Sequence, residues 1–506
     1  MIPVKGFKGK RVAIFGLGRS GLSAARALKA GGAEPVLWDD KPASVMAATK
    51  ERFTVENLAK TDWSEIDALM LSPGVPLTHP EPHWTVKLAQ EAGVPILGDI
   101  ELFARTLATL PAHKRPKTVA ITGTNGKSTT TALIGHILKA AGKDVHVGGN
   151  IGIGVLDLPP MHAGSIYVIE TSSYQLDLCL TFKPDVAVLM NFSPDHLDRH
   201  GGMDGYVAAK KRIFMNQTAE DTAVIGADDE YTTQIINDMR TQSPVKLVAI
   251  SSRRTLAPGV FAVGGILYDG TEPRARQIVD LKKIQSLTGR HNWQNAAAAY
   301  AACRALGLDI DTIVAGMSSF PGLAHRMQQI GTIGNVRFIN DSKATNADAA
   351  RQAMSSFERF YWIAGGRAKA GGIESLADLF PRIKRAYLIG EAAELFEKTI
   401  GQAAPCVQSR LLFTAVAQAY ADAEKSGEEE IVLFSPACAS FDQFTDFEVR
   451  GDAFKAAVDE INQSLIAAAE EAAGKPGVAR IRTAEPVLEQ HDASKDPAQG
   501  VGPSIQ

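Results

Sequence analysis

The stretch ITGTNGKSTT, Ile121 to Thr130, constrains this chain more than any other part of it. It reads as the end of a strand, "TVAIT", then a turn of Gly123, Thr124, Asn125 and Gly126, then a helix opened by Lys127, Ser128 and Thr129. Such a strand, turn and helix aim backbone N–H donors, an ammonium and a hydroxyl at one point, which is what the phosphates of ATP and their Mg²⁺ require. The strict phosphate-loop pattern has glycine where Ile121 stands, and the first glycine here comes two residues later. A variant loop is expected, in an α/β fold. A generic strand-to-helix turn is the plainer alternative.

The rest of the chain repeats that alternation. With 506 residues and about 150 per domain, roughly three domains are expected. "RVAIFGLGRSGLSAARALKAGG" is a strand, a glycine turn and an Ala/Leu helix, and "PVLWDD" is the next strand. This first Rossmann-like domain spans residues 1–98, and its "GLGRSG" reads as a turn for a phosphate- or nucleotide-type ligand, with a plain tight turn as the alternative. A central P-loop-type mononucleotide-binding domain follows over 99–322. A third Rossmann-like domain over 323–466 carries loops such as "NDSKATN" and "SPACASFDQF" just after its strands. Residues 467–506, poor in aromatics and rich in Pro, Gly and charge, read as a disordered tail.

Composition excludes several classes of function. The net charge of −3 gives no global attraction for nucleic acid or an anionic membrane. Four scattered cysteines form no zinc or disulfide framework, and no apolar run is long enough to span a bilayer. A cytoplasmic protein is expected, and a monomer.

Two further stretches deliver ligand-type side chains to strand ends. "YVIETSSYQLD" places Glu170 where it would partner nucleotide-bound Mg²⁺, and "NFSPDHLDRH" places His196 beyond another strand. A loop-capping role for His196 stays open. His196 and His200 share an HxxxH spacing, but Leu197 stands where a zinc protease needs Glu, so a solvated or structural role is read for His200. Lys210, Lys211 and Arg212 in "YVAAKKRIF" read first as a solvated basic helix face. Asn292 and Asn295 in "HNWQNAAAAYAAC" either meet a base edge or cap their helix.

Taken in order, "GTNGKST", "ETSSYQLD", "NFSPDHLDRH", "YVAAKKRIF", "GRHNWQN", "GLAHRM" and "NDSKATN" resemble the Mur ligase family from about Lys5 to about Ser464. "NDSKATN" and "SPACASFDQF" resemble those members that join D-glutamate to UDP-N-acetylmuramoyl-L-alanine. The resemblance implies that Lys127 holds ATP phosphates, that Ser128 and Glu170 reach one Mg²⁺, and that His196 and Lys210, the latter as an N-carbamate, serve a second. It implies further that Asn292 and Asn295 face adenine and Arg326 the phosphates, with Asp341 and Lys343 on the ATP side. Arg19, Ser20, Asp40 and Lys41 would bind uracil, and Ser72 and Asn150 the diphosphate. Thr345, Lys369, Ser440 and the backbone at Phe441 would hold D-glutamate, with Phe447 closing that pocket. The implied chemistry is ATP-driven amide formation through an acyl phosphate, in peptidoglycan precursor synthesis. The rival readings are a related ligase for another amino acid, an NAD-dependent oxidoreductase built on "GLGRSG", and a non-catalytic nucleotide-binding regulator.

Overall fold

A computed structural model describes residues 1–368 and 371–472. Its strands assemble into three sheets of five, nine and six. The five-stranded sheet is parallel, in the spatial order Thr54–Val55, Glu34–Trp38, Arg11–Phe15, Ala68–Leu71, Ile96–Leu97. The order reverses between Arg11–Phe15 and Ala68–Leu71, and a crevice opens beyond the carboxyl ends of strands at such a switch point. Helix Arg19–Ala30 packs Ala24, Ala25, Ala27 and Leu28 onto this sheet.

The nine-stranded sheet runs Asp144–Gly149, Ser165–Glu170, Lys117–Thr122, Val186–Leu189, Thr222–Gly226, Lys246–Ser251, Val260–Val263, all parallel. An antiparallel pair, Ile266–Asp269 and Arg276–Asp280, ends it. Apart from exposed Lys117, its central strands are buried along their length and apolar in their middles, as expected of strands covered by helices on both faces. Helices Lys127–Ala140 and Arg290–Ala305 cover one face through Leu133, Ile134, Ile137 and a run of alanines from Ala296 to Ala299. Both helices begin at the carboxyl edge of the sheet, so their first turns face the loops that follow the strands.

Residues Met1–Gln328 pack as one compact unit that contains both of these sheets; a second unit starts at Gln329. In the second unit the sheet order is Gln328–Ile333, Val336–Asn340, Glu430–Phe434, Phe360–Gly365, Ile383–Ile389, Cys406–Arg410, parallel from Val336–Asn340 onward. Its last helix runs Phe447–Ala472, beyond the point at which the sequence reading began a disordered tail at 467. The segment "LIAAAEEA" explains the difference, because alanine and glutamate are strong helix formers that need no core to extend a helix already nucleated. The remainder of the expected tail lies outside the described residues. Among the described residues no helix is long and apolar enough to cross a membrane.

Candidate functional site

The glycine turn that follows Lys117–Thr122 is tightly built. Gly123 has φ +142 and Gly126 φ +84. A Cβ on Gly126 would lie 2.3 Å from Asn295 Oδ1, and one on Gly123 2.7 Å from Met190 Cβ. Thr124 N donates to Asn191 O, and Asn125 N donates to Asn191 Oδ1 at 2.9 Å. Asn191 Nδ2 in turn donates to Gln294 Oε1 at 2.8 Å, and Gln294 reaches Asp228 at 3.3 Å. Thr124 Oγ1 meets Tyr206 Oη at 3.0 Å and accepts from Ser193 N at 3.1 Å. Lys127 Nζ donates to Gly123 O and Thr124 O, at 2.9 and 2.8 Å, which keeps its ammonium over the turn. Ser128 is buried and Thr129 half-buried in the first helical turn behind it.

Glu170 ends the neighbouring strand and is 2 % exposed. Its Oε1 accepts from Asn150 Nδ2 at 2.8 Å, while Oε2 is buried with no hydrogen-bond partner. An enclosed, unpaired carboxylate oxygen is costly unless a cation completes it. This orphan oxygen, at the end of the strand paired with the one that leads into the phosphate-type turn, fits a hard divalent cation that takes oxygen ligands.

Lys210 corrects the reading of a solvated basic face. It is 2 % exposed on helix Met203–Lys211, and its Nζ donates to Gly123 O at 2.9 Å and lies 4.8 Å from the centre of the Tyr206 ring. Burial, reinforced by the charge of Lys127, brings its pKa down to about 7. Arg212 is likewise turned inward, donating to the carbonyls of Leu176 and Cys179. Of the basic triplet, only Lys211 keeps an exposed pairing, with Asp238 at 3.6 Å.

His196 adopts φ +53 just before the short helix Leu197–His200 and makes no side-chain cap, so the capping role is not what the geometry shows. Its ring lies 4.9 Å from that of Tyr174, and partial burial lowers its pKa, with Lys210 and Lys127 acting in the same sense. The shift favours the neutral imidazole, the form that ligates metals, against the opposing pull of Asp195. His200 is structural: buried, 2.9 Å from Ser173 Oγ and 3.1 Å from Asp177 Oδ2, and stacked on Tyr174.

The two asparagines of helix Arg290–Ala305 separate. Asn295 is buried beneath the turn, donating to Asn292 Oδ1 at 3.0 Å and accepting from Thr130 Oγ1 at 3.3 Å. Asn292 is half-buried and donates back to Thr288 O at 3.0 Å. Arg326 sits in the turn after Gly322, its backbone N–H donating to Leu323 O.

All six residues assigned to the UDP-sugar line one cavity of about 580 Å³ at the switch point of the first sheet: Arg19, Ser20, Asp40, Lys41, Ser72 and Asn150. Ser72 Oγ donates to Gly16 O at 2.5 Å, and Arg19 Nη1 donates to Gly152 O at 2.8 Å. Gly18 caps the helix and has open space where a Cβ would stand, so the helix N-terminus faces the cavity unobstructed. The sequence reading missed the aromatic floor of this cavity. Phe15 and His83 rings lie 4.3 Å apart, and His83 Nε2 is 3.2 Å from Asp40 Oδ2. It also missed Asn191, Gln294 and Tyr206, although "NFSPD" and "HNWQN" had been singled out for other members.

In the second unit, Asp341 and Ser342 follow strand Val336–Asn340, and Ser440 follows strand Glu430–Phe434, its immediate neighbour in the sheet. Asp341 Oδ2 accepts from Ser435 Oγ at 2.8 Å. Lys343 Nζ lies 5.8 Å from the centre of the Phe447 ring, and Thr345 is half-buried. Ser440 is buried, whereas Phe441 is 64 % exposed. Arg450 binds the two loops together, donating to Ser342 O at 2.8 Å and Cys438 O at 3.0 Å. Lys369 lies outside the described residues.

Comparison with known proteins gives three family matches: a Mur ligase MurD-like N-terminal domain over residues 10–98, a Mur ligase middle domain over 121–303, and the Mur ligase glutamate ligase domain over 325–438. The chain is 64 % identical to the UDP-N-acetylmuramoylalanine–D-glutamate ligase of Caulobacter vibrioides, across 91 % of this chain and 98 % of that protein. To the protein of the same name from Rhizobium etli it is 55 % identical, across 90 % and 96 %. Among solved structures it resembles the UDP-N-acetylmuramate-alanine ligase of Thermotoga maritima, with a TM-score of 0.52, 18 % identity, and 90 % of this chain and 99 % of that one covered. It also resembles the D-alanyl-D-alanyl-adding ligase of Acinetobacter baumannii, with a TM-score of 0.52, 18 % identity, and 88 % and 93 % covered. These two likenesses concern the fold alone.

Proposed function

This chain belongs to the Mur ligase family of ATP-dependent enzymes, and from that premise we propose that it joins D-glutamate to UDP-N-acetylmuramoyl-L-alanine in the synthesis of peptidoglycan precursor. Residues 1–98 bind the UDP-sugar, 99–322 the ATP and 323–466 the amino acid. The observation that carries this reading is the convergence, within one compact unit, of a nucleotide-type cavity and a phosphate-type turn on Asn150, which lines the first and holds Glu170 beside the second.

The chemistry follows from charge. The terminal carboxylate of the L-alanyl group attacks the γ-phosphorus of ATP, forming a C–O–P linkage and releasing ADP. The D-glutamate amine then attacks the acyl carbon, loses its extra proton, and inorganic phosphate departs as the amide forms. Carboxylate and triphosphate repel each other by roughly 4 kcal/mol per unit-charge pair near 4 Å at an effective dielectric of 20, so the site must supply positive charge. Lys127 and Arg326 supply two such charges, and the N–H groups of residues 123–126 add oriented dipoles. Two Mg²⁺ ions would neutralise phosphate charge when bound. Ser128 and Glu170 would hold one; His196 and a carbamate on Lys210 would hold the other. A lysine held near pKa 7 by burial is largely neutral at slightly alkaline pH, and a neutral amine is the form that adds CO₂. Thr345, Lys369, Ser440 and the backbone at Phe441 bind the two D-glutamate carboxylates, and Phe447 closes over them. Asn292 meets the adenine. Asn295 fixes the turn from below. Asp341 and Lys343 serve the ATP side.

Phosphate release from ATP and UDP-N-acetylmuramoyl-L-alanine, measured with D-glutamate, L-glutamate, L-alanine or diaminopimelate, tests this reading. Release with D-glutamate alone is expected. Release with another member of the panel instead would move the substrate assignment, and none with any of the four would overturn the ligase reading.

A further inference from the structure

At the outer edge of the central sheet, where its edge strand begins, three metal-type side chains meet. Asp144 opens edge strand Asp144–Gly149, and His146 stands two residues on, so both project from one face of the strand. His162 comes from the loop that leads into Ser165–Glu170, the strand that Asp144–Gly149 pairs with in register from Asp144 and Ser165 onward. Asp144 Oδ2 lies 2.8 Å from His162 Nε2 and 3.3 Å from His146 Nε2, and one donor atom from each residue falls within 4.8 Å of the others. We propose that Asp144, His146 and His162 form a transition-metal site of the Zn²⁺ class, which nothing in the ligase chemistry uses.

One feature of the cluster points the same way. Nε2 of His146 is enclosed yet makes no hydrogen bond, even with the Asp144 oxygen so near. A buried nitrogen without a partner is rare, and a metal ion removes the deficit. Ser165 Oγ donates to His162 O at 2.7 Å, and His146 packs on Tyr167 with ring centres 5.1 Å apart, which positions both rings. Two imidazoles and one carboxylate suit Zn²⁺, Co²⁺ or Cu²⁺ and discriminate against Mg²⁺, which prefers oxygen alone. Three protein ligands leave a fourth tetrahedral position for water. Gly164 N donates to His162 Nδ1 at 3.3 Å. Metal at Nε2 moves the ring proton to Nδ1, so this long contact opens, a small rearrangement in an exposed turn. The bound ion ties the loop to an edge strand whose outer backbone groups have no neighbouring strand among the described residues.

The test uses the full chain, freed of metal and then titrated with ZnCl₂ in millimolar MgCl₂, with Co²⁺ as the spectroscopic probe. The parent is expected to bind Zn²⁺, to show the intense visible bands of four-coordinate Co²⁺, and to melt at higher temperature with Zn²⁺ than without. His162→Ala changes an exposed side chain and is expected to fold normally by circular dichroism, to weaken Zn²⁺ binding more than about tenfold, and to lose both the Co²⁺ bands and the melting shift. Asp144→Asn is expected to do the same. Glu170→Gln is expected to keep all three signals, which separates this site from the catalytic one. Absence of Zn²⁺ binding in the parent, or Zn²⁺ binding and Co²⁺ bands unchanged in His162→Ala, would overturn the proposal.

Discussion

At Lys210 the chain buries an amine against Gly123 O and the Tyr206 ring, with the ammonium of Lys127 donating to the same carbonyl. Its pKa of about 7 lies below the ordinary 10.5, so between those two values the unfolded chain binds more protons than the folded one. Stability therefore rises with pH across that window, and the full cost of burying the group is felt below pH 7. In CO₂-free, metal-free buffer, Lys210→Met is expected to stabilise the protein at pH 7 by on the order of a few kcal/mol in urea unfolding, with the gain shrinking toward pH 10. Activity is expected to be lost. A gain that is the same at both pH values would mean that the lysine is not held neutral. Lys210→Ala offers a second check: near-inactivity partly rescued by a short carboxylic acid supports a carbamate, and full activity without additive removes Lys210 from the site. Glu170→Gln carries the matching expectation for the carboxylate, whose Oε2 has no partner to lose. Its melting temperature without metal is expected to hold or rise while turnover collapses.

The glycine turn was legible at the scale of the element because its chemistry is local. A strand, two glycines and Lys-Ser-Thr announce themselves within ten residues, and the structure bears out that strand, turn and helix in order. What holds the turn in shape was not legible, because Asn191, Gln294 and Tyr206 come from three other elements and look like ordinary loop or helix residues. Asn295 shows the same limit from the other side: an amide near a helix start suggests a base contact, yet tertiary packing puts it beneath Gly126. Lys210 and Lys211 cannot be told apart by composition, and only the turn of their helix decides which is buried. Gly126→Ala tests the element directly. With φ +84 and 2.3 Å between the new Cβ and Asn295 Oδ1, it is expected to cost about 1–3 kcal/mol in stability and to weaken ATP binding, measured by denaturation and by nucleotide titration. Unchanged values for both would show the turn to be less constrained than its geometry.

Across the whole molecule, all three sheets place their candidate residues at the carboxyl ends of strands, and in the first two the key loops flank a change in strand order. That much followed from the alternation of strand and helix in the sequence, whereas the aromatic floor of Phe15 and His83 required two stretches far apart to meet. Asn150 is where the first two sheets' sites are joined. Asn150→Ala is expected to raise the Mg²⁺ concentration needed for activity about 10- to 100-fold, and also to raise KM for the UDP-sugar, since the same side chain lines its cavity. A change in only one of the two would uncouple the sites. In the proposed reaction ATP is spent on activating the carboxylate of the UDP-sugar for attack by D-glutamate. This use of ATP is tested most directly by labelling the L-alanyl carboxylate with ¹⁸O and following the label into the phosphate released. ¹⁸O is expected in the phosphate, in step with amide formation and only when D-glutamate is present; unlabelled phosphate, or the same labelled release with L-glutamate, would show that ATP is not used in this way.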